Sequence, residues 1–393
     1  MEVLAVFDWF KRADREVPER KASATGPVVA MSTGVGRPAW SPRDAVSLTK
    51  NGFLGNVIAF RCVRMIAEAA ASAPLALSDG ERALLRHPVE RLLRAPNQGQ
   101  LGAEFLEAVY GHLMLAGDAY IEAAGRRADG APLELHALRP DRMRVVPGAD
   151  GWPSAYEYSV GGRKVRFDMA QELRPLLHLR SFHPLDDHYG LSPMQAAASA
   201  LDIHNSASRW SKALLDNAAR PSGAIVYRGA DGATLSDEQY RRLMDEVETN
   251  HQGARNAGRP MLLEGGLDWK PMGFSPSDME FLQTKTAAAR DVAIAFGVPP
   301  MLLGLPGDAT YANYAEANRA FWRQTVLPLV RKVSGALSVW LSDWSGEPLV
   351  LAPDLDKVPA LAEERRAQWK AVADADFLTD EEKRRMLGLP AGG

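Results

Sequence analysis

His178, His183, Asp186, Asp187 and His188 fall within one short stretch. Imidazoles and carboxylates bind Zn2+ or Mg2+ and exchange protons near neutral pH, so a metal-dependent hydrolase is one reading of the cluster. Pro184 and Gly190 place a turn inside it, so no helix presents these groups as ligands on one face. The spacing favours hydrogen bonding within a loop that fixes the approach to a helix at Ser192.

Other signatures of chemistry are missing. There is no Walker A phosphate cradle and no His-Glu-x-x-His zinc helix. Gly190-Leu191-Ser192-Pro193-Met194 comes nearest to a nucleophile elbow, but Pro193 lacks the N–H that would complete an oxyanion hole. Gly34-Val35-Gly36-Arg37-Pro38-Ala39 imitates a dinucleotide fingerprint without a preceding strand, and Pro38 interrupts it. Cys62 stands alone, which excludes an internal disulfide and Cys-based zinc sites and fits a reducing, cytoplasmic origin. The apolar run Val57, Ile58, Cys62, Ile66 makes it a buried core residue. The reading is a protein with no catalytic residue, no metal and no cofactor. The basic loop His251–Arg259, with Arg255 and Arg259, can touch phosphates or an acidic partner, or be a solvated loop.

The chain has 393 residues and is 46% hydrophobic, enough for one large domain or two to three smaller ones. Its net charge is -3, whereas tight nucleic-acid binders carry a basic excess. Any DNA contact is expected to be weak or confined to a local patch. No apolar run reaches the roughly 18 residues of a membrane span. Met1–Arg12 places its apolar residues before its charges, the reverse of a signal peptide. It reads as an amphipathic segment on a flexible arm that continues through residues 13–40.

Ser41-Pro42-Arg43-Asp44 predicts a helix start with Ser41 as N-cap. Helices are predicted over Asn56–Ala71 and Ala103–Ala116, the second closed by Gly117. Strands follow at Ala119–Ala123, Leu133–Ala137, Met143–Val146, Ala155–Val160 and Leu176–Leu179. Ser192-Pro193-Met194-Gln195 opens a helix to about Ala219. Its small residues Ala196–Ala200 allow close packing, within one chain or between copies. Then comes an α/β insert: a strand at Gly223–Tyr227, a helix from Ser236 to Asn250, and strands at Met261–Leu263 and Leu267–Met272. A second long helix returns from Ser277 to Phe296. Trp322, Val326, Val330, Val333, Leu337 and Leu341 mark one face of a helix over Asn313–Leu341. Pro328 should kink it near Gln324–Pro328. Leu361–Ala373 and the capping box at Thr379 give short terminal helices.

Several of these segments, in this order, resemble the portal proteins of the HK97-like phage family. Asn56–Glu68 leading to Pro74-Leu75 looks like that family's first core helix. His87–Asn97 is similar to its "HPL–LL–PN" stretch, and Leu115–Tyr120 to its "GNAY" segment, with Asp118 where Asn is usual. Leu138–Arg142, Gly190–Pro193, Phe296–Gly304 and Tyr311–Asn313 also fit. The compact size and short arm are similar to portals of gene transfer agents, phage-like particles carrying host DNA.

The resemblance implies an α+β portal fold with a mixed α/β wing, a two-helix stem, an α/β clip and a helical C-terminal crown. On this chain the wing would be 41–191 and 298–355, the stem helices 192–219 and 274–297, the clip 220–273 and the crown 356–393. The tunnel loop, about 303–313, would put Leu305, Pro306, Asp308, Thr310 and Tyr311 at the channel constriction. Arg209, Lys212, Lys285 and Arg290 are the stem candidates, and Arg255 and Arg259 the clip candidates. Implied partners are further copies in a ring of twelve, double-stranded DNA held weakly, a large terminase ATPase, the major capsid protein and a head-tail adaptor, with no membrane. The implied place is the portal vertex of a virion or phage-like particle assembled in the host cytoplasm. Beside this stand the hydrolase reading and a head-tail adaptor or capsid component, although adaptors are usually smaller and lack the helix–insert–helix plan.

Overall fold

The structure is a computed structural model and describes residues 40–127, 130–216, 223–227, 236–251, 267–271, 278–306 and 311–388. The arm, the strand expected at Met261–Leu263, the loop with Arg255 and Arg259, and Asp308 and Thr310 lie outside the described residues.

Short helix α1 (Ala45–Leu48) runs into a π-helical turn at Thr49–Phe53. Its cap is Asp44, which accepts from the N–H groups of Val46 and Ser47 at 3.1 and 2.9 Å. Ser41, the expected cap, is committed elsewhere: its hydroxyl and N–H both donate to the Asp202 carboxylate. Helix α2 (Val57–Ser72) starts at Asn56, whose side-chain oxygen accepts from Ile58 and Ala59. Its inward face carries Ala59, Cys62, Val63, Ile66, Ala67 and Ala70 at steps of three and four. Burial pushes the Cys62 thiol up to about 12, so the thiol acts as a small apolar group.

Strand β1 (Leu75–Ser78), helix α3 (Pro88–Arg94) and helix α4 (Gly102–Ala116) follow. Gly117 ends α4 in the left-handed conformation at φ 79°. Strands β2 (Asp118–Arg126), β3 (Pro132–Leu138), β4 (Met143–Pro147), β5 (Pro153–Val160), β6 (Arg163–Asp168) and β7 (Leu176–Arg180) form two three-stranded antiparallel sheets, in the orders β3-β2-β7 and β4-β5-β6. A small core of Tyr120, Leu138, Met143, Val145, Tyr156, Phe167 and Leu176 joins them.

The helix expected from Ser192 is present, but in two pieces: α5 (Pro193–Ala196) and α6 (Ala198–Asp216). Ser192 caps it by accepting from the Gln195 N–H at 3.0 Å. Backbone bonds from Ala197 to Pro193 and from Leu201 to Ala197 run through the break, so it is a local change of pitch. Ala197 and Ala198 pack in the chain's own core. Strand β8 (Gly223–Tyr227), helix α7 (Asp237–His251) and strand β9 (Leu267–Pro271) form the insert, with β8 and β9 paired antiparallel. Helix α8 (Asp278–Ala295) returns.

Helix α9 (Tyr311–Phe321) passes through a π turn at Trp322–Val326 into α10 (Leu327–Ser345). The irregularity thus begins earlier than Pro328 alone predicts. Pro328 follows directly on that turn, whose closing bond from the Leu327 N–H to the Trp322 carbonyl already departs from the regular ladder, so the residue without an N–H sits where the ladder is broken. All six apolar positions predicted for this face are buried. Burying each such side chain contributes about 1.5–3 kcal/mol. Strand β10 (Val350–Pro353) pairs antiparallel with β1, and helices α11 (Ala362–Ala373) and α12 (Asp380–Met386) end the chain. The main core joins α2, α4 and α10. No helix among the described residues is long and apolar enough to cross a membrane.

Candidate functional site: a helix pair and the segment at its base

Helices α6 and α8 leave and return as an antiparallel pair. Trp210, late in α6, stacks on Phe281, early in α8, with ring centroids 3.9 Å apart and planes 10° apart. Their body-side ends are tied down by a polar joint. The Asn56 side-chain nitrogen lies 3.0 Å from Nδ1 of His204 and donates to Asn205 at 2.8 Å. Asn205 in turn donates to the Asn51 carbonyl at 2.8 Å. Burial, helped by the Lys285 charge, holds the His204 imidazole below its usual range. It is therefore neutral at pH 7, and Nδ1 is free to accept from Asn56.

The four cations predicted on these helices have different surroundings. Arg209 is exposed and donates to Ser206 at 3.0 Å, and Lys212 is exposed. Lys285 and Arg290 are half-buried. Arg209 and Lys212 lie within about 60° around α6, whereas Lys285 and Arg290 are about 140° apart around α8. The four therefore do not form one file. Arg290 is engaged: its guanidinium donates to the Pro306 carbonyl.

That bond joins α8 to the segment predicted as a constriction. Gly297 ends α8 at φ 68°, and a Cβ there would lie 2.8 Å from Thr325 Oγ1. The Thr325 hydroxyl donates to the Gly297 carbonyl at 2.6 Å. A 3-10 turn, Pro300–Leu303, follows, with Leu302 buried. Leu305 is half-buried and donates its N–H to Pro300 at 3.3 Å, and Pro306 is exposed. Tyr311 opens α9. Leu305, Pro306 and Tyr311 thus flank residues 307–310, which lie outside the described residues.

The histidine–aspartate cluster separates into two uses. His178 is buried between Asp118, 2.8 Å from Nε2, and the Tyr156 hydroxyl, 3.2 Å from Nδ1. It stacks on Tyr120 at 4.3 Å. Burial pushes the Asp118 carboxyl up and the His178 imidazole down, and their mutual bond opposes both shifts. Asp118 also accepts from the Gly190 N–H at 2.9 Å. At Gly190 a Cβ would lie 2.0 Å from the Gly117 carbonyl oxygen, so only glycine fits. Asp186 accepts from the N–H groups of His188 and Tyr189, and His183 accepts from Leu185. The cluster therefore orders the loop ahead of Ser192. Among the described residues no three His, Cys, Asp or Glu side chains gather as a metal site requires. The hydrolase reading is left without a ligand set.

Sequence reasoning missed Asp118 as the partner of His178, and Ser41 as the partner of Asp202. A carboxylate inside the apolar strand Asp118-Ala119-Tyr120-Ile121 is itself a signal, because a buried charge needs a partner.

The sequence model for the family described as phage portal protein matches residues 58–388. A chain in the neck of an empty gene transfer agent particle, computed with C6 symmetry, is 64% identical with a TM-score of 0.71, and the match covers 94% of this chain and 100% of that one. A chain in the neck of the native particle, computed with C12 symmetry, is 63% identical with a TM-score of 0.69 and the same coverage. The portal protein of Enterobacteria phage HK97 is 25% identical over 342 residues, 85% of this chain and 76% of that protein.

Proposed function

The chain belongs to the phage portal protein family, and from that premise we propose that its copies close into a ring of twelve around a channel for double-stranded DNA. It is a portal protein of a phage or gene transfer agent type particle, and a structural component of the virion. The observation that carries the ring reading is the identity, across 94% of the chain, to a neck chain computed with C12 symmetry.

The helix pair α6–α8 is the stem and the insert β8–α7–β9 the clip, facing first a terminase motor and later a head-tail adaptor. Residues 41–191 and 298–355 form the wing, held by the capsid protein, and 356–393 the crown. The Arg290–Pro306 bond supports this assignment, because it fixes the start of the tunnel segment to the stem. A separate ATPase drives DNA inward during packaging, and the same channel lets it out at ejection.

Charge bears on how DNA would be held. A duplex carries about one charge per 1.7 Å, and a strongly basic bore would grip it through counterion release. A net charge of -3 per chain suits a conduit, with sparse cations such as Arg209 and Lys212 repeated around the ring.

The test is mass photometry and negative-stain imaging of the purified protein over a range of concentrations. Rings near twelve subunits with a central hole are expected, binding duplex DNA only weakly at physiological salt. A chain that stays monomeric throughout would sink the ring, and tight DNA binding by intact rings would sink the sliding-conduit reading.

A further inference from the structure

Ser41 is pinned to the early part of α6. Its N–H and hydroxyl donate to the Asp202 carboxylate at 2.9 and 2.6 Å, and its hydroxyl accepts from the Asn51 amide at 3.1 Å. The preceding residue, Trp40, therefore lies against the helix pair. It lines a groove of about 490 Å3 together with Ile203, Ala207, Trp210 and Phe281. Asp202, Ser206 and Trp210 stand at steps of four along α6, so the groove runs about 12 Å from the pin towards the insert. The chain's own backbone enters at one end, and the Trp210–Phe281 stack lies at the other.

Trp40 is the first described residue, and Gly34-Val35-Gly36-Arg37-Pro38-Ala39 leads into it. This run makes no dinucleotide fingerprint, but its composition suits an aromatic groove. Pro38 fixes its own φ and holds Arg37 extended. In the polyproline II conformation three residues rise by about 9 Å, which puts Val35 and Pro38 on one face and turns Arg37 away from it. That rise fits within the groove. Such segments dock on aromatic walls because they have little chain entropy left to lose. A tether of a few residues also supplies this segment at an effective concentration on the order of millimolar, against which any other occupant must compete.

We propose that Val35–Ala39 lies in this groove of its own subunit as an extended strap across α6 and α8, with Val35 and Pro38 facing Trp210 and Phe281. This goes beyond the portal reading, because it gives the arm a path: the residues before Val35 leave the helix pair beside the insert.

Two measurements test it. A photo-crosslinking phenylalanine analogue replaces Phe281 in the full chain, with isotope-heavy and light copies mixed, and the linked positions are mapped by mass spectrometry. Links within one copy to residues 35–39 are expected. Links to a different copy, links that stop at Trp40, or no link from a folded protein overturn the strap. Separately, hydrogen exchange is compared between wild type and Val35→Asp/Pro38→Asp, after correction for intrinsic rates. The Gly36 and Arg37 amides should exchange at least about tenfold slower in the wild type. Equal exchange overturns the strap whatever the crosslinks show, and it decides alone if the Phe281 analogue does not fold. Neither failure touches the ring reading, which particle mass tests by itself.

Discussion

Asp118 meets Gly190 and His178 through the same carboxylate oxygen, at 2.9 Å from the Gly190 nitrogen and 2.8 Å from Nε2 of His178. One oxygen holds the helix α4–strand β2 junction against the end of the loop before Ser192. The second oxygen is not needed for either bond, so an amide could take the place of the carboxylate.

Asp118→Asn is therefore expected to stay within about 1 kcal/mol of wild type in urea unfolding, while Asp118→Ala loses about 3 kcal/mol. Burial raises the folded pKa of Asp118, so the ionised carboxylate costs stability at neutral pH, and that cost disappears as pH falls through the folded value. Any advantage of the Asn variant should accordingly be largest at pH 7 and shrink in acid. An Asn variant as damaged as the Ala variant would refute the shared-oxygen account.

His112 gives a pH dependence of the opposite sign. Burial holds its imidazole down at about 4, from the ordinary 6.5, and its Nδ1 has no hydrogen-bond partner. The unfolded chain takes up this proton first, so stability is complete above pH 6.5 and is lost as pH falls towards 4. The loss is on the order of 3 kcal/mol. Stability measured by urea at stepped pH should be flatter in this window for His112→Phe than for wild type.

Gly297→Ala puts a Cβ at a left-handed φ and against Thr325 Oγ1. A loss of about 1–3 kcal/mol is expected, read as a lower melting temperature. Thr325→Val removes the hydroxyl and its bond to the Gly297 carbonyl, and should cost about 1 kcal/mol by itself. If Gly297→Ala melted at the wild-type temperature, the close approach at this turn would be disproved.

Arg290 is a positioning residue for the segment that starts at Pro306. Arg290→Ala should accelerate hydrogen exchange at the Leu305 amide by roughly tenfold without moving the global melt. Arg290→Gln, which can still donate, should restore part of the protection. Equal exchange in wild type and the Ala variant would show that the bond does not hold the segment.

Sequence showed the helices where one signal repeated along the chain. The face from Trp322 to Leu341, which spans the π turn and α10, and the α2 face through Cys62 needed only spacing, because buried side chains recur every three or four residues. The helix–insert–helix plan was also visible from its caps. What escaped were pairings between distant residues. Ser41 had the composition of a cap, but Asp202 takes both its donors. β1 pairs with β10 across most of the chain, and nothing local to Leu75–Ser78 names that partner. At the site, the Arg290–Pro306 bond depends on the turn at Gly297, which is tertiary. The motif positions Asn56 and His87 proved to be joints, binding His204 and Glu347 respectively.

The π turn at Trp322–Val326 makes the long helix adjustable by a single codon. A π turn holds one residue more than an α turn. Deleting one residue there would return the run to regular pitch and leave α9 and α10 facing nearly as they do now, because five residues of a π turn and four of an α-helix both turn through roughly 400°. The turn therefore takes up one residue of chain length, and both α9 and the core that α10 anchors keep their facing through its gain or loss.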